Sequence, residues 1–368
     1  MLSSLHRPSD PRIFQKEART LAHAGYDVTY VAAGAEEQAA DGVRLRPFPR
    51  PGLRFARPLT SSMRMLREAR KVRADIYHFH DPELIPAGLA LKLLGRRVVY
   101  DAHEDLPKTI LWKPYLPRLL RRPLALAAGL VEKTASRAFD LVVVAGKGIE
   151  RSFEGHPRTL LVRNYPIAEQ FGDRATREQV DRGLVAVYAG GLTAVRGVVE
   201  MVTAIDLVDA RHHPRLILCG NYYPESFEEQ VRRLPGYRRV DDRGVVPYQS
   251  VPGILAQADV GLVCLLRTPN HLDSEPTKMF EYMAAGLPVI ASNFPGWREI
   301  VEGCGCGLCV DPTDPGAIAG ALTYLAEHPE QRATMGANGR RAVFERYNWE
   351  AEGQRLLEAY ARLARPSA

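Results

Sequence analysis

The stretch Asp273–Ser292, DSEPTKMFEYMAAGLPVIAS, holds polar side chains at spacings that a short helix can turn to use. A polar loop, DSEPTK, leads into an amphipathic helix, KMFEYMAAG, with Met279, Phe280 and Met283 as its apolar stripe. Pro276 suits the first helical turn, where a missing N–H costs nothing. Gly286 ends the helix in a left-handed cap, and LPVIAS follows as a buried strand. The free N–H groups of Thr277 and Lys278 then point out of the helix N-terminus, where partial positive charge collects. Lys278 adds a full charge, which makes this an anion site. Glu281 lies one turn further on, behind that site, and is placed to accept hydrogen bonds from a ribose diol. A plain surface helix with one charged face is the competing reading.

Two further places carry polar groups where a parallel sheet would present them. His103 and Glu104 follow the strand VVYDA directly, and open α/β sheets bind ligands beyond the carboxyl ends of their strands. A histidine satisfied within its own loop is the alternative. In LVAVYAGGLTAVRGVVEMVTAI a strand, a glycine turn and a helix follow one another. Gly190 and Gly191 let the backbone approach a phosphate, and Arg196 stands at the start of the helix. The dinucleotide pattern G-x-G-x-x-G is not met. His78 and His80 share one face of the strand ADIYHFHD, a metal pair by spacing. No third ligand beyond Asp81 is visible, so polar residues at a strand's exit are the favoured reading.

Asp273 to Ser292 resembles the nucleotide-sugar signature of the retaining family-4 glycosyltransferases. There, two acidic residues flank seven others before an AMA-x-G-PV segment. Glu281 and YMAAGLPVIAS match, and counting back places the first acid on Asp273 rather than a glutamate. Glu275-Pro276 stand where the family has Phe-Gly. The segment from Asp10 to Glu17 resembles the family form D-x-R-I-F-x-K-E, and Arg196-Gly197 matches the cation-glycine pair after the glycine turn. Gly191 occupies the family's arginine position, so Lys278 is the replacement diphosphate cation.

The resemblance implies a GT-B architecture, two Rossmann-like βαβ domains facing a central cleft. It implies transfer from a UDP- or GDP-linked sugar with retention, no metal and no cofactor. No protein nucleophile is implied, because the leaving diphosphate takes the acceptor's proton on the same face. Catalytic roles fall on His103, Asp273, Glu275 and Glu281. Donor binding falls on Gly190, Gly191, Arg196, Thr277, Lys278 and Glu281, with Val245, Val246 and Pro247 lining the base through their backbone. A nucleotide-sugar 2-epimerase and a non-catalytic sugar-nucleotide-binding protein are the rivals.

Those side chains need elements to hold them, and the chain supplies enough. With 368 residues, 46% apolar and 25% charged, it suits two soluble domains. We expect domains at 1–166 and 184–346, a polar linker at 167–183, and a terminal helix in 347–368 that crosses back to the first domain. The leading segment gives a helix with Ile13, Phe14, Ala18, Leu21 and Ala22 inward, then the strand YDVTYVAA. The first strand is short, which leaves a chain starting upstream or a strand made by SSLH alone. No apolar run approaches the roughly 20 residues of a membrane span, and the start has no signal-peptide core. Cys219, Cys264, Cys304, Cys306 and Cys309 show no framework spacing and point to free thiols in the cytoplasm. GCGCGLCV reads as a glycine-rich turn feeding a small strand, not a metal site.

Charge is uneven. Residues 1–165 carry 28 Lys and Arg against 17 Asp and Glu, a net +11, and the remainder carries −5. Trp112, Tyr115, Leu116, Leu119 and Leu120 alternate with Lys113, Arg118, Arg121 and Arg122, as in a segment lying on anionic lipid. An ordinary packed helix with its arginines in water is the equal alternative. The expected partners are a nucleotide-sugar donor, a glycan, lipid-linked or small-molecule acceptor, and the inner membrane face, with no nucleic acid.

Overall fold

The computed structural model describes residues 1–49, 57–111, 116–172 and 183–364, and the chain divides into two compact units. Met1–Asn164 and Trp349–Ala368 form one, and Tyr165–Asn348 the other. Most of the sequence-read linker, and Trp112, Lys113 and Tyr115, lie outside the described residues.

In the first unit the strands are β1 (Val28–Ala33), β2 (Gln38–Ala40), β3 (Val43–Phe48), β4 (Ile76–Phe79), β5 (Arg97–Ala102), β6 (Leu141–Val144) and β7 (Thr159–Leu161). They run β2-β3-β1 and β4-β5-β6-β7, and Leu2 bridges Val31 of β1 and Phe79 of β4 in parallel. Leu2 alone thus fills the place expected of SSLH. Runs such as VTYVAA in β1 are buried throughout, as parallel strands covered on both faces must be.

The leading helix departs from the expected 3.6-residue period. Gln15 N donates to Asp10 O (3.2 Å) and Glu17 N to Arg12 O (3.0 Å), so residues Ile13–Ala18 form wide π turns before Arg19–His23 turns α-helical. Such turns are frequent at functional sites. Here they bury Lys16 and Glu17 along with Ile13 and Phe14. The terminal helix Trp349–Ala364 packs on this segment, with Trp349 Nε1 donating to Thr20 Oγ1 at 2.8 Å.

The second unit carries β8 (Val185–Ala189), β9 (Arg215–Cys219), β10 (Val240–Asp242), β11 (Val260–Val263), β12 (Val289–Ser292) and β13 (Gly307–Val310). They are all parallel, in the order β10-β9-β8-β11-β12-β13. This is the doubly wound nucleotide-binding order, and its direction reverses between β8 and β11, where such sheets hold ligands. The turn after β8 is pinned there. Gly197 adopts φ +72°, and a Cβ on it would lie 1.9 Å from the carbonyl oxygen of Cys264, just beyond β11.

Gly197→Ala is therefore expected to destabilise the second unit. The left-handed conformation costs about 1–2 kcal/mol and the backbone overlap adds to it, so Tm should fall by about 4 °C or more. A thermal melt indistinguishable from the parent would mean that the turn is not held against Cys264.

Candidate active site

In the second unit, β8 ends at Ala189 and the chain turns through Gly190 at φ +146°. A Cβ on Gly190 would stand 3.1 Å from Lys278 Nζ, so glycine here makes room for the ammonium. Lys278 sits in the first turn of helix Thr277–Ala284, with Nζ 5.3 Å from the centre of the Tyr188 ring. The Tyr188 hydroxyl donates to Gly191 O at 3.1 Å, which ties the glycine turn to the strand beneath it. Pro276 is extended and caps the helix from outside, rather than opening its first turn as the sequence suggested.

Arg196 closes the 3₁₀ turn Ala194–Arg196, and the helix begins at Val198. It therefore precedes the helix, contrary to the sequence placement, because Gly197 takes the left-handed cap position. Buried His271, which the sequence reading did not single out, donates from Nδ1 to Leu266 O at 2.7 Å. Burial lowers its pKa first, and the charges of Arg196 and Lys278 lower it further. Lys278 is itself pushed down to about 7 by burial and then by Arg196, against the pull of Glu281. Three basic groups thus converge at the switch point.

Glu281 is 7% exposed, and the Tyr248 hydroxyl donates to its Oε1 at 3.0 Å. Tyr248 follows Val245, Val246 and Pro247 directly, in the loop that leaves β10 through Gly244 (φ +60°). Gly244 O accepts from Gly220 N at 2.7 Å, so the loop is anchored at its root, while Val245 is 68% exposed. The signature helix and the expected base loop therefore meet at one carboxylate. Tyr248 was not read from the sequence, since a lone phenol after a loop gives no periodic signal. Asp273 ends the short helix Pro269–Leu272. Trp297 Nε1 donates to Ser274 O at 2.7 Å, and Tyr165 OH to Glu275 Oε2 at 3.1 Å, which fixes the loop ahead of Thr277.

His103 belongs to the first unit, just past β5, where it lines a cavity of about 270 Å³ with His6, His80, Tyr100 and Glu104. Its Nδ1 is 3.6 Å from Asp101 Oδ1, beyond hydrogen-bond reach. His6 lies edge-on to it with ring centres 4.8 Å apart. Asp81, 3.1 Å from His6 Nδ1, raises the His6 pKa against the opposing effect of burial. Asp81 also accepts from Ser4 N at 2.6 Å and Ser3 Oγ at 2.9 Å.

His80 follows β4 directly and lines the cavity beside His103, as expected of a polar group at a strand's exit, whereas His78 lies within the strand. The two are 0% and 1% exposed, with stacked rings 4.5 Å apart. The missing further partners are Glu17, turned inward by the π turns, and Asp101 on the adjacent β5. Arg12 Nε lies 2.9 Å from Glu17 Oε1, and Arg12 Nη2 lies 2.9 Å from Asp101 Oδ2. Burial would raise Asp101, but Arg12 holds its carboxyl well below the usual range, whereas burial and Asp101 push Glu17 up.

Comparison with known proteins bears on these two sites. Residues 172–342 match the family model described as Glycosyl transferases group 1, and residues 12–158 match Glycosyltransferase Family 4. Between them the two matches take in both units. The chain is a family-4 glycosyltransferase.

Among curated relatives, a GDP-mannose-dependent monoacylated alpha-(1-6)-phosphatidylinositol monomannoside mannosyltransferase of Corynebacterium glutamicum is 29% identical over 217 residues. That match covers 57% of this chain and 56% of the relative. A GDP-mannose-dependent alpha-(1-6)-phosphatidylinositol monomannoside mannosyltransferase of Mycolicibacterium smegmatis is 32% identical over 145 residues, 39% and 38% of the two chains. The chain thus spans about half the length, or less, of these relatives. In fold, sucrose-phosphate synthase of Thermosynechococcus elongatus superposes with a TM-score of 0.77 at 20% identity over 98% of both chains. An Anabaena protein solved with UDP and glucose gives 0.74 at 16% identity over 98% of both. The fold of this glycosyltransferase is that of the GT-B enzymes, two Rossmann-like domains with parallel sheets.

The depressed Lys278 leads to a pH test. Above pH 7 its amine is largely neutral in the free protein, and a bound diphosphate would draw a proton back onto it. UDP or GDP binding is therefore expected to take up a proton near pH 8. Affinity should fall as pH rises from 7 to 9, by up to about tenfold per unit. Calorimetry in buffers of different ionisation enthalpy measures both, and Lys278→Met should remove the proton uptake. Uptake that persists in that variant would locate the titrating group elsewhere.

Proposed function

We propose that this glycosyltransferase moves a sugar, with retention and without a metal at the donor, from a UDP- or GDP-linked sugar to a glycan, lipid-linked or small-molecule acceptor. The observation that carries the reading is the convergence of Lys278, Arg196 and His271 at the switch point of a doubly wound sheet, with buried Glu281 behind them. A diphosphate answers the charge of Arg196 and of a Lys278 that regains its proton. A ribose diol answers a carboxylate one turn along the helix. Arg196 and Lys278 take over the charge relief that a divalent ion gives elsewhere. The departing diphosphate receives the acceptor's proton on the face it leaves, so the enzyme acts mainly by positioning and charge stabilisation. In this reaction His103 stabilises the transferring sugar, while Asp273 and Glu275 bound the donor pocket beside Thr277. The GDP-mannose dependence named for the two mannosyltransferases favours guanosine among the two bases.

A mass-spectrometric screen against a nucleotide-sugar panel, with and without acceptors, tests the reading. Donor consumed only with acceptor supports transfer; donor isomerised alone would make the chain an epimerase, and binding without turnover a carrier. With the active donor in hand, His103→Ala is expected to lower kcat by about 10²-fold or more while leaving UDP or GDP affinity nearly unchanged. Glu281→Gln is expected to weaken UDP or GDP far more than pyrophosphate. Equal losses for the two ligands would remove Glu281 from the ribose.

The same reading places the acceptor side of the enzyme on the cytoplasmic face of a membrane. Helix Arg118–Ser136 turns Ala125, Glu132 and Ser136 inward, and leaves Leu119 91%, Leu126 76% and Leu130 69% exposed. Leu120, Leu124 and Val131 join them, and this exposed apolar row supports a surface that rests on lipid. Exposed Arg118 and Arg122 flank this row. Each such cation contributes about 1 kcal/mol near an anionic surface. The full chain is expected to sediment with phosphatidylglycerol vesicles at low salt and less at high salt. Replacing Arg118, Arg121 and Arg122 by glutamate should abolish this; sedimentation unchanged in that variant, or absent in the parent, would detach the row from lipid.

A further inference from the structure

We propose that Glu17, His78, His80 and Asp101 form a binding site for a divalent transition ion, zinc foremost. The site lies within the first unit and is separate from the donor chemistry proposed for the second. The four side chains offer ligand atoms that all lie within 4.8 Å of one another. His80 Nδ1 is 3.9 Å from Glu17 Oε2 and 3.8 Å from Asp101 Oδ2, and His78 Nε2 is 3.8 Å from the same oxygen. Four ligands at zinc's usual bond lengths stand about 3.4 Å apart, so the three imidazole–carboxylate pairs need to close by about half an ångström and no pair by more than about 1.4 Å.

The cluster is dry and unsatisfied. None of the four residues is more than 1% exposed. Glu17 Oε2, His78 Nε2, both His80 nitrogens and Asp101 Oδ1 are buried without a hydrogen-bond partner, while Glu17 Oε1 is paired with Arg12. Buried polar atoms in that state are rare, and a single ion would engage several of them. His78 is already oriented as a ligating histidine is. Its Nδ1 is 2.8 Å from the Tyr360 hydroxyl, which leaves Nε2 facing the carboxylates. The cavity beside His103 reaches His80 and provides a route in.

Arg12 bears on the balance of charge. With neutral imidazoles, two carboxylates and Arg12 sum to −1, and a divalent ion takes the same set to +1. The ion therefore leaves no larger imbalance than its absence. A proton shared between Glu17 and Asp101 would also neutralise the cluster, and that is the rival. Two imidazoles and two carboxylates suit zinc, then iron or nickel, and not magnesium or calcium. All five cysteines belong to the other unit, so the site is free of sulfur. An ion there would clamp the leading helix, β4 and β5 to the terminal helix through Tyr360.

The full chain, purified without a histidine tag, is analysed for metal by mass spectrometry, then stripped with EDTA and titrated with zinc chloride. About one zinc per chain is expected, with an X-ray absorption shell of nitrogen and oxygen only. His78→Ala and His80→Ala should each weaken zinc by about 100-fold and Tyr360→Phe by about tenfold, while Cys304→Ser with Cys306→Ser changes nothing. Failure to retain or bind zinc, sulfur in the shell, or affinity unchanged by the histidine variants would overturn the site. If those variants do not fold, the absorption spectrum of the parent chain decides.

Discussion

The crowding of basic groups at one point is the constraint around which the second unit is arranged. Lys278 is half-buried, Arg196 stands near enough to depress it, and Glu281 is the carboxylate that opposes them. Keeping an ammonium there requires glycine at position 190, a rigid turn at Gly197, and a loop ahead of Thr277 tied down by Trp297 and Tyr165. Each of these features limits how far the cations can spread apart. The protein keeps its electrostatic stress at one point, the place where a diphosphate would relieve it.

The first unit solves a different problem, that of burying many polar groups of both signs. The π turns of the leading helix carry Glu17 inward, and Arg12 bonds across to Asp101 and to Val162 O. Lys16 reaches Asn164, whose Oδ1 accepts at 2.6 Å. An ordinary α-helix could not turn Arg12, Lys16 and Glu17 to the core together with Ile13 and Phe14. The cost in regular hydrogen bonding is offset by these pairings and by the Trp349 contact to Thr20.

Much of this was legible in the sequence where a short-range signal existed. The signature helix, its Gly286 cap and the following strand could be read from apolar spacing and one glycine. The alternating strands and helices of both sheets could be read in the same way. What escaped depends on long-range approach. His78 and His80 were placed on one face correctly, yet their partners Glu17 and Asp101 lie far off in the chain. A reading based on regular periods could not foresee the π turns that bring Glu17 inward. Tyr248 and His271 were missed for the same reason, since each acquires its meaning from a neighbour on another element. The exposure of Leu119, Leu126 and Leu130 was undecidable from spacing, because apolar residues on one side of a helix describe a core and a free surface equally well.

The bond from Tyr248 to Glu281 has a consequence for how a nucleotide would enter. A buried carboxylate is costly to leave without a hydrogen bond, and in the free protein the phenol serves as a stand-in guest. An arriving diol would have to share or displace it, so part of its attraction would be spent on an exchange rather than a gain. A net hydrogen bond is worth about 1 kcal/mol, and such an exchange would keep affinity modest. It would also turn the loop of Val245–Pro247 into a follower of the ribose. A nucleotide would therefore be released by the return of a tyrosine, without any need for the sheet beneath it to move.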